Sequence, residues 1–371
     1  MKTRTCFRLA VVFFTFSSFL LILLSSNATD HFDNGIQYLD FSHYFLRRPV
    51  SWQPKSTNIQ KVIHYLNLTQ DKASHYLPLT LDGPLLLSND SLCLTEDGSP
   101  VDILFFVHTA PAHVDRRQKL RETFMESKYF LALHFTVRRV FLLGRVENAT
   151  EQLALEEEHR HHGDLVQGDF LDSYRNLSHK GVMGFGWVTR YCARVRLVVK
   201  LDDDVFFDTF KLIHRYWPQV VDKRRAIFCS VWKNNTMPVM RDGKWTVSGR
   251  LFGAKKVFPY DYCSGLTVMI TGDLVPFLFS AARFTPVFWI DDIYLFGILP
   301  VIAANVTFYD VGYGNGVMDL QWERGLTCIK EKGHNCPLLA AAARGEQLDA
   351  MWNQSLTMHA ENHWRNPSVR V

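Results

Sequence analysis

Four short apolar runs, at residues 103–108, 139–143, 164–166 and 197–201, alternate with three stretches of helical pattern at 114–125, 147–162 and 176–195, and this alternation limits the fold more than any other feature. The runs are β-branched or aromatic and too short for helices, so they read as buried strands. Strand and helix in alternation predict an α/β fold with a mostly parallel central sheet covered on both faces. Ligands of such sheets sit at the carboxyl ends of the strands. The run VRLVVKL leads directly into Asp202-Asp203-Asp204 at such an end. Three adjacent carboxylates repel one another, and a neutralising cation accounts for their presence; hard oxygen ligands suit Mg²⁺ or Mn²⁺. The bland alternative is a solvated acidic turn.

The N-terminus adds a second constraint. Lys2, Arg4 and Arg8 precede an uncharged stretch at 9–29 that contains LAVVFFTFSSFLLILL. A helix needs about 20 apolar residues to cross the hydrocarbon layer, and basic residues ahead of it keep that end cytosolic. The expected organisation is a cytosolic tail at 1–8, a signal anchor at 9–26, a luminal stem at 27–95 and a globular domain at 96–371. A cleaved signal peptide is the rival, with small residues at Ser25-Ser26-Asn27-Ala28, but the apolar part exceeds the usual length of about 7–15 residues. Eight Asn-x-Ser/Thr sequons, at Asn27, Asn67, Asn89, Asn148, Asn176, Asn234, Asn305 and Asn353, all follow the apolar segment and fit luminal glycosylation. Cys6 lies on the cytosolic side; Cys93, Cys192, Cys229, Cys263, Cys328 and Cys336 form an even set in an oxidising compartment, with fifteen possible pairings.

Composition supports a globular core: 47% of residues are hydrophobic and 21% charged. The net charge of +4 includes the basic tail, so no broad basic field remains and nucleic acid is excluded as a partner.

Several ordered blocks between about residues 93 and 300 resemble glycosyltransferase family 31, the β1,3-galactosyltransferase and β1,3-N-acetylglucosaminyltransferase family. Arg117-x-x-Leu120-Arg121-x-Thr123-Phe124 is similar to its R-x-x-I-R-x-T-W, and FLLG at 141–144 to its second strand. HGDLVQGDFLDSYRNLSHK at 162–180 resembles GD-I-x-x-x-DF-x-D-x-Y-x-NLT-x-K, and VVKLDDDVF at 198–206 resembles K-x-DDD-x-F. Pro238-Val239-x-Arg241 with Lys244-Trp245, and Tyr260-x-Tyr262-Cys263-Ser264-Gly265, look like acceptor-side segments. Asp291-Asp292-Ile293-Tyr294 stands where the family has E/D-D-V-Y.

The resemblance implies a GT-A fold and an inverting transfer of a hexose, galactose or an N-acetylhexosamine, from a UDP-sugar to a glycoprotein or glycolipid acceptor in β1,3 linkage at the Golgi membrane. Mn²⁺ (or Mg²⁺) would offset charge on the departing diphosphate. Asp204 would bind the metal, with Asp202 and Asp203 on metal-bound water or the donor's ribose, and His334 a candidate third ligand. Asp292 is the expected general base, with Asp291 in reserve; without the other blocks, the two read equally as a helix N-terminal pair. Arg117 and Arg121, four apart on one helical face, are candidates for the donor diphosphate or uracil, or for surface pairs with Glu122 or Glu126. Lys200 either neutralises phosphate or screens the carboxylates. Asp169 and Asp172 stand at positions near the donor, or cap the following helix. Trp245, Tyr262 and Trp289 are candidates for stacking on sugars, or core residues. Two departures stand out: Phe124 replaces the family's tryptophan, and Phe296 stands where E/D-D-V-Y-x-G has glycine, which is expected to narrow the acceptor groove. The other class of reading is a luminal glycan-binding or chaperone-like protein of the same fold without turnover; a third, a two-carboxylate hydrolase, requires no metal.

Overall fold

The structure, a computed structural model, describes residues 54–66, 84–253 and 255–365. The expected tail at 1–8 and anchor at 9–26 lie outside the described residues, as do Asn27 and Asn67. Among the described residues no helix is long and apolar enough to cross a membrane.

The strands are β1 (Leu85–Leu87), β2 (Ile103–His108), β3 (Val137–Arg145), β4 (Leu165–Leu171), β5 (Leu197–Asp202), β6 (Val205–Phe207), β7 (Ala226–Trp232), β8 (Tyr262–Thr271), β9 (Thr307–Asp310), β10 (Met318–Asp319) and β11 (Ala340–Ala342). Eight of them form one sheet of order β1-β4-β3-β2-β5-β8-β7-β9, while β10-β11-β6 form a small second one. The run β4-β3-β2-β5 is parallel throughout, and β8 lies antiparallel to both β5 and β7. The four expected strands are β2 to β5.

The principal helices are α1 (Ser56–Tyr65), α2 (Val114–Glu122), α3 (Ala149–His162), α4 (Leu177–Tyr191), α5 (Val275–Ala282), the composite α6 (Asp291–Ile293, a π turn Tyr294–Ile298, then Leu299–Ala303), α7 (Trp322–Lys332) and α8 (Glu346–Arg365). The three expected helices are α2, α3 and α4. Asn148 caps α3 by accepting from the Thr150 and Glu151 amides, and Gly163 closes it at φ 65°, a left-handed conformation that glycine adopts without strain. α4 stops at Tyr191 rather than 195, where Cys192 is tied to Cys93.

Strand side chains alternate between faces, which splits the core in two. Leu104 and Phe106 pack with Val182 and Phe185 of α4 on one face; Ile103, Phe105 and Val107 pack with Phe124, Phe207 and Met351 on the other. Both faces of β2 are therefore covered, which is why ILFFVH is apolar without alternation. Phe124 meets Phe105, Phe206 and Phe207 in this second cluster, so the aromatic replacement is a core substitution.

The expected stem boundary at 95 is too late. β1 extends the sheet beyond β4 by pairing with Gln167 and Gly168, and β4 runs on to Leu171, opposite Arg145 of β3, where only 164–166 was expected. Val62 and Leu66 enter the first core cluster, and Leu66 accepts a backbone hydrogen bond from Phe252. A polar stretch with three apolar residues gives too little periodicity to reveal an edge strand. The six cysteines resolve as Cys93–Cys192, Cys229–Cys263 and Cys328–Cys336; the second ties β7 to β8.

Candidate active site

The chain leaves β2 on one side for β3, while β5 lies on the other, so the crevice past the carboxyl ends of β2 and β5 is the switch point where α/β sheets take ligands. His108 and Asp202 are register partners at that edge. Beyond it the three aspartates diverge. Asp203 turns inward, 6% exposed, and accepts from Thr109 Oγ1 at 2.6 Å and Arg116 Nη1 at 2.8 Å, with His113 Nδ1 at 2.7 Å. The side chains of Asp202 and Asp204 are each 46% exposed. Asp202 Oδ1 accepts from Lys200 Nζ at 2.8 Å; Asp204 has Arg116 at 3.7 Å, and its backbone carbonyl accepts from Ala343.

A second acidic pair faces the same crevice. Asp291 and Asp292 open α6, and the Gly265 amide of β8 donates to Asp292 Oδ2 at 2.9 Å. The Gly265 carbonyl accepts from Lys200 Nζ at 2.7 Å, so one buried ammonium joins the two acidic groups. Asp292 is pushed up to about 8, first by withdrawal from water and then by the charge of Asp291. Withdrawal from water raises Asp291 as well. Burial works against the charge of Lys200, but Asp202, Asp291 and Asp292 more than offset it and hold Lys200 above its usual range. His108 Nδ1 lies 3.7 Å from Asp291 Oδ2; burial, then Lys200 and Lys180, hold this imidazole well below its usual range and neutral.

Several expected residues have other work. Arg117 and Arg121 do share a helical face, but it meets α3 and the residue leading into β4, and Arg117 also donates to the Ala110 and Pro111 carbonyls. Arg117 donates to Glu158 at 2.8 and 2.6 Å, and Arg121 to Glu158 at 2.7 Å and Asp164 at 2.7 and 2.9 Å, all in the interior. They brace the fold and are not open to a donor; nor do they pair with Glu122 or Glu126. Replacing Asp164, 2% exposed, with alanine strips Arg121 and Arg139 of a buried partner and is expected to lower unfolding free energy by about 3–5 kcal/mol, read from urea denaturation.

Asp169 is an exposed partner of Arg145 and makes no contact with the triplet among the described residues. Asp172 accepts from the Gly144 amide and pairs with buried Lys180 at 2.9 Å; Lys180 also donates to the Thr109 carbonyl. That pair ties the ends of β3 and β2 together, which is positioning rather than capping.

The expected third ligand, His334, is not brought beside Asp204. β11 runs antiparallel to β6 with Ala340 opposite Phe207 and Ala342 opposite Val205, so the chain before β11 lies at the end of β6 remote from Asp204. His334 stands instead beside His359, with ring centres 5.4 Å apart, and His359 Nε2 is 3.2 Å from Asp208. Among the described residues no group of three or more His, Cys, Asp or Glu could hold a metal ion by itself.

Phe296 does not narrow a groove. It is fully buried against Phe185, because the π turn inserts one residue and passes the glycine's place to Gly297, whose added Cβ would crowd Tyr262. Tyr262 is a core residue, 6% exposed; Trp289 is partly buried and Trp245 open. Sequence reasoning missed Arg116, His113, Thr109 and His108. Their only signal was position: they sit at the end of β2 and on the first turn of the helix that follows.

The profile of the family described as Galactosyltransferase matches residues 115–310. The chain is 30% identical over 282 residues to lactosylceramide 1,3-N-acetyl-beta-D-glucosaminyltransferase A of Danio rerio, covering 72% of each chain. It is 26% identical over 238 residues to beta-1,3-galactosyltransferase 5 of Pan paniscus, 63% of this chain and 74% of that one. It is 33% identical over 222 residues to acetylgalactosaminyl-O-glycosyl-glycoprotein beta-1,3-N-acetylglucosaminyltransferase of Homo sapiens, 57% of this chain and 55% of that one.

Proposed function

Because this chain belongs to the galactosyltransferase family, glycosyltransferase family 31, we propose that it is an inverting, metal-dependent β1,3-glycosyltransferase of GT-A type that moves galactose or an N-acetylhexosamine from a UDP-sugar to a glycan hydroxyl. The observation that carries this reading is the Lys200 bridge, which sets Asp202 and Asp292 on one crevice.

Asp202 and Asp204 fit an ion of the Mg²⁺ or Mn²⁺ kind, which takes one or two carboxylates and completes its shell with water and phosphate oxygens. When bound, such an ion offsets the negative charge on the departing diphosphate. Asp203 holds the turn through Thr109 and Arg116, so the two outer carboxylates keep their aim. The Gly265 amide holds Asp292 Oδ2 and leaves Oδ1 to accept the proton of the acceptor hydroxyl. The acceptor oxygen then bonds to the sugar's C1 from the face opposite UDP as the C1–O bond to UDP breaks. Uncharged His108 closes the floor beneath Asp291 without quenching the pair.

The proposed location is the Golgi membrane, single-pass and type II, with the catalytic domain in the lumen. The apolar segment behind Lys2, Arg4 and Arg8, the sequons and the three disulfides support it.

The test is a panel of UDP-sugars with Mn²⁺, simple acceptors and the full-length chain in detergent micelles, with EDTA controls. Transfer abolished by EDTA supports the reading. Absence of transfer and of UDP release from every donor favours the glycan-binding alternative, and EDTA-insensitive glycoside cleavage favours a hydrolase. A finer check is Gly265→Ala, whose methyl group would overlap the Asp292 carboxylate. A displaced base costs about 10²-fold in kcat; donor affinity from calorimetry is expected to hold.

A further inference from the structure

Two loops 71 residues apart meet through a hydrogen bond from Trp245 Nε1 to Tyr174 Oη, 2.9 Å. Tyr174 is 45% and Trp245 50% exposed, whereas rings of this size ordinarily gain by burying most of their area. Trp289 joins them, its ring centre 6.4 Å from that of Tyr174. A cation lies on each side: Lys244 Nζ is 4.5 Å from the Tyr174 centre and Arg175 Cζ 3.7 Å from that of Trp289. Both cations are exposed, and neither makes an ion pair with a carboxylate among the described residues. Trp289 stands two positions before Asp291, so this surface borders the proposed base.

Open rings of this kind suit the C–H faces of pyranoses, and unneutralised cations suit an anionic substituent. The donor's diphosphate is assigned, through the proposed cation, to Asp202 and Asp204. We propose that Tyr174, Trp245 and Trp289, with Lys244 and Arg175, form an acceptor subsite selecting a saccharide that carries an acidic group, either a sulfate ester or a carboxylate. This rests on the glycosyltransferase reading and adds the class of acceptor.

The test uses the full-length chain in detergent micelles, its N-glycans trimmed enzymatically so that a glycan on neighbouring Asn176 does not occupy the surface. Three oligosaccharides of one backbone, neutral, sulfated and sialylated, are compared by calorimetric binding and by transfer from the donor. At low salt at least one acidic form is expected to bind about five-fold tighter than the neutral one, an advantage that fades as salt screens it. The sulfated and sialylated arms tell which anion is preferred. Arg175→Ala with Lys244→Ala is expected to bring the acidic forms down to the neutral one's affinity, with thermal unfolding confirming the fold, and Tyr174→Ala is expected to weaken all three. Equal binding of the three saccharides, or a preference that survives the double substitution, overturns the subsite. Acidic preference without any transfer leaves the subsite standing and removes the transferase reading; transfer without acidic preference does the reverse.

Discussion

Asp292→Asn is expected to lower kcat by about 10²–10⁴-fold, the range a positioned general base supplies, while UDP-sugar affinity stays within about two-fold. The substitution keeps size and shape and removes only the ability to take a proton. Donor affinity is spared because Asp292 belongs to the β8 and α6 side of the crevice, held by Gly265, whereas the proposed metal carboxylates end β5. The wild-type pH profile gives a second readout. A base acts only when unprotonated, and burial together with the charge of Asp291 pushes Asp292 up to about 8, so kcat/KM is expected to climb with pH through the neutral range and level off above that value. Asparagine has no such proton to lose, and the residual rate of the variant is expected to be flat over the same interval. Wild-type turnover in Asp292→Asn would transfer the base assignment to Asp291 or end it.

Asp204→Ala is expected to weaken UDP binding in the presence of Mn²⁺ by more than about 100-fold, beyond what loss of an outer-shell partner costs, and to leave metal-free binding unchanged. Calorimetry with Mn²⁺ and with EDTA reads both. The reason lies in the division of labour among the three aspartates. The Asp204 carboxylate is half-exposed, with Arg116 Nη1 at 3.7 Å, so little of the fold depends on it. Asp203 by contrast is enclosed by Thr109, His113 and Arg116, and its removal is expected to destabilise the turn. Equal UDP affinity of Asp204→Ala and wild type with Mn²⁺ would refute the metal assignment.

The sheet's centre and its three covering helices were legible because the signals are local. ILFFVH and LVVKL are too short and too apolar for anything but strands buried on both faces, and α3 carries its own cap and stop at Asn148 and Gly163. The two acidic groups stood out only through the ordered blocks around them, since carboxylates at strand and helix ends read equally as a solvated turn or a helix N-terminal pair. The arginine pair was misjudged for a definite reason: a spacing of four residues fixes that Arg117 and Arg121 share a face but not which neighbour the face meets. α3 and Asp164 meet it, and Arg116, one residue away, turns toward Asp203 instead. Phe296 was misplaced because hydrogen-bond register within a helix is invisible in the sequence, and a single π turn moves every later side chain by one place.

What the amino-acid order determined alone was the alternation of strand and helix and the supply of carboxylates at their ends, because each is decided by residues within one turn or one strand of each other, and the even set of cysteines, which is a matter of composition. What the tertiary structure decided was pairing over distance: β1 on the sheet's edge, Cys93 with Cys192, Lys200 with the Gly265 carbonyl, and His334 at the wrong end of β6 to reach Asp204. Those partners lie from tens of residues to somewhat more than a hundred apart, and only the closing of the chain around a common core selects among the alternatives that local chemistry leaves equal.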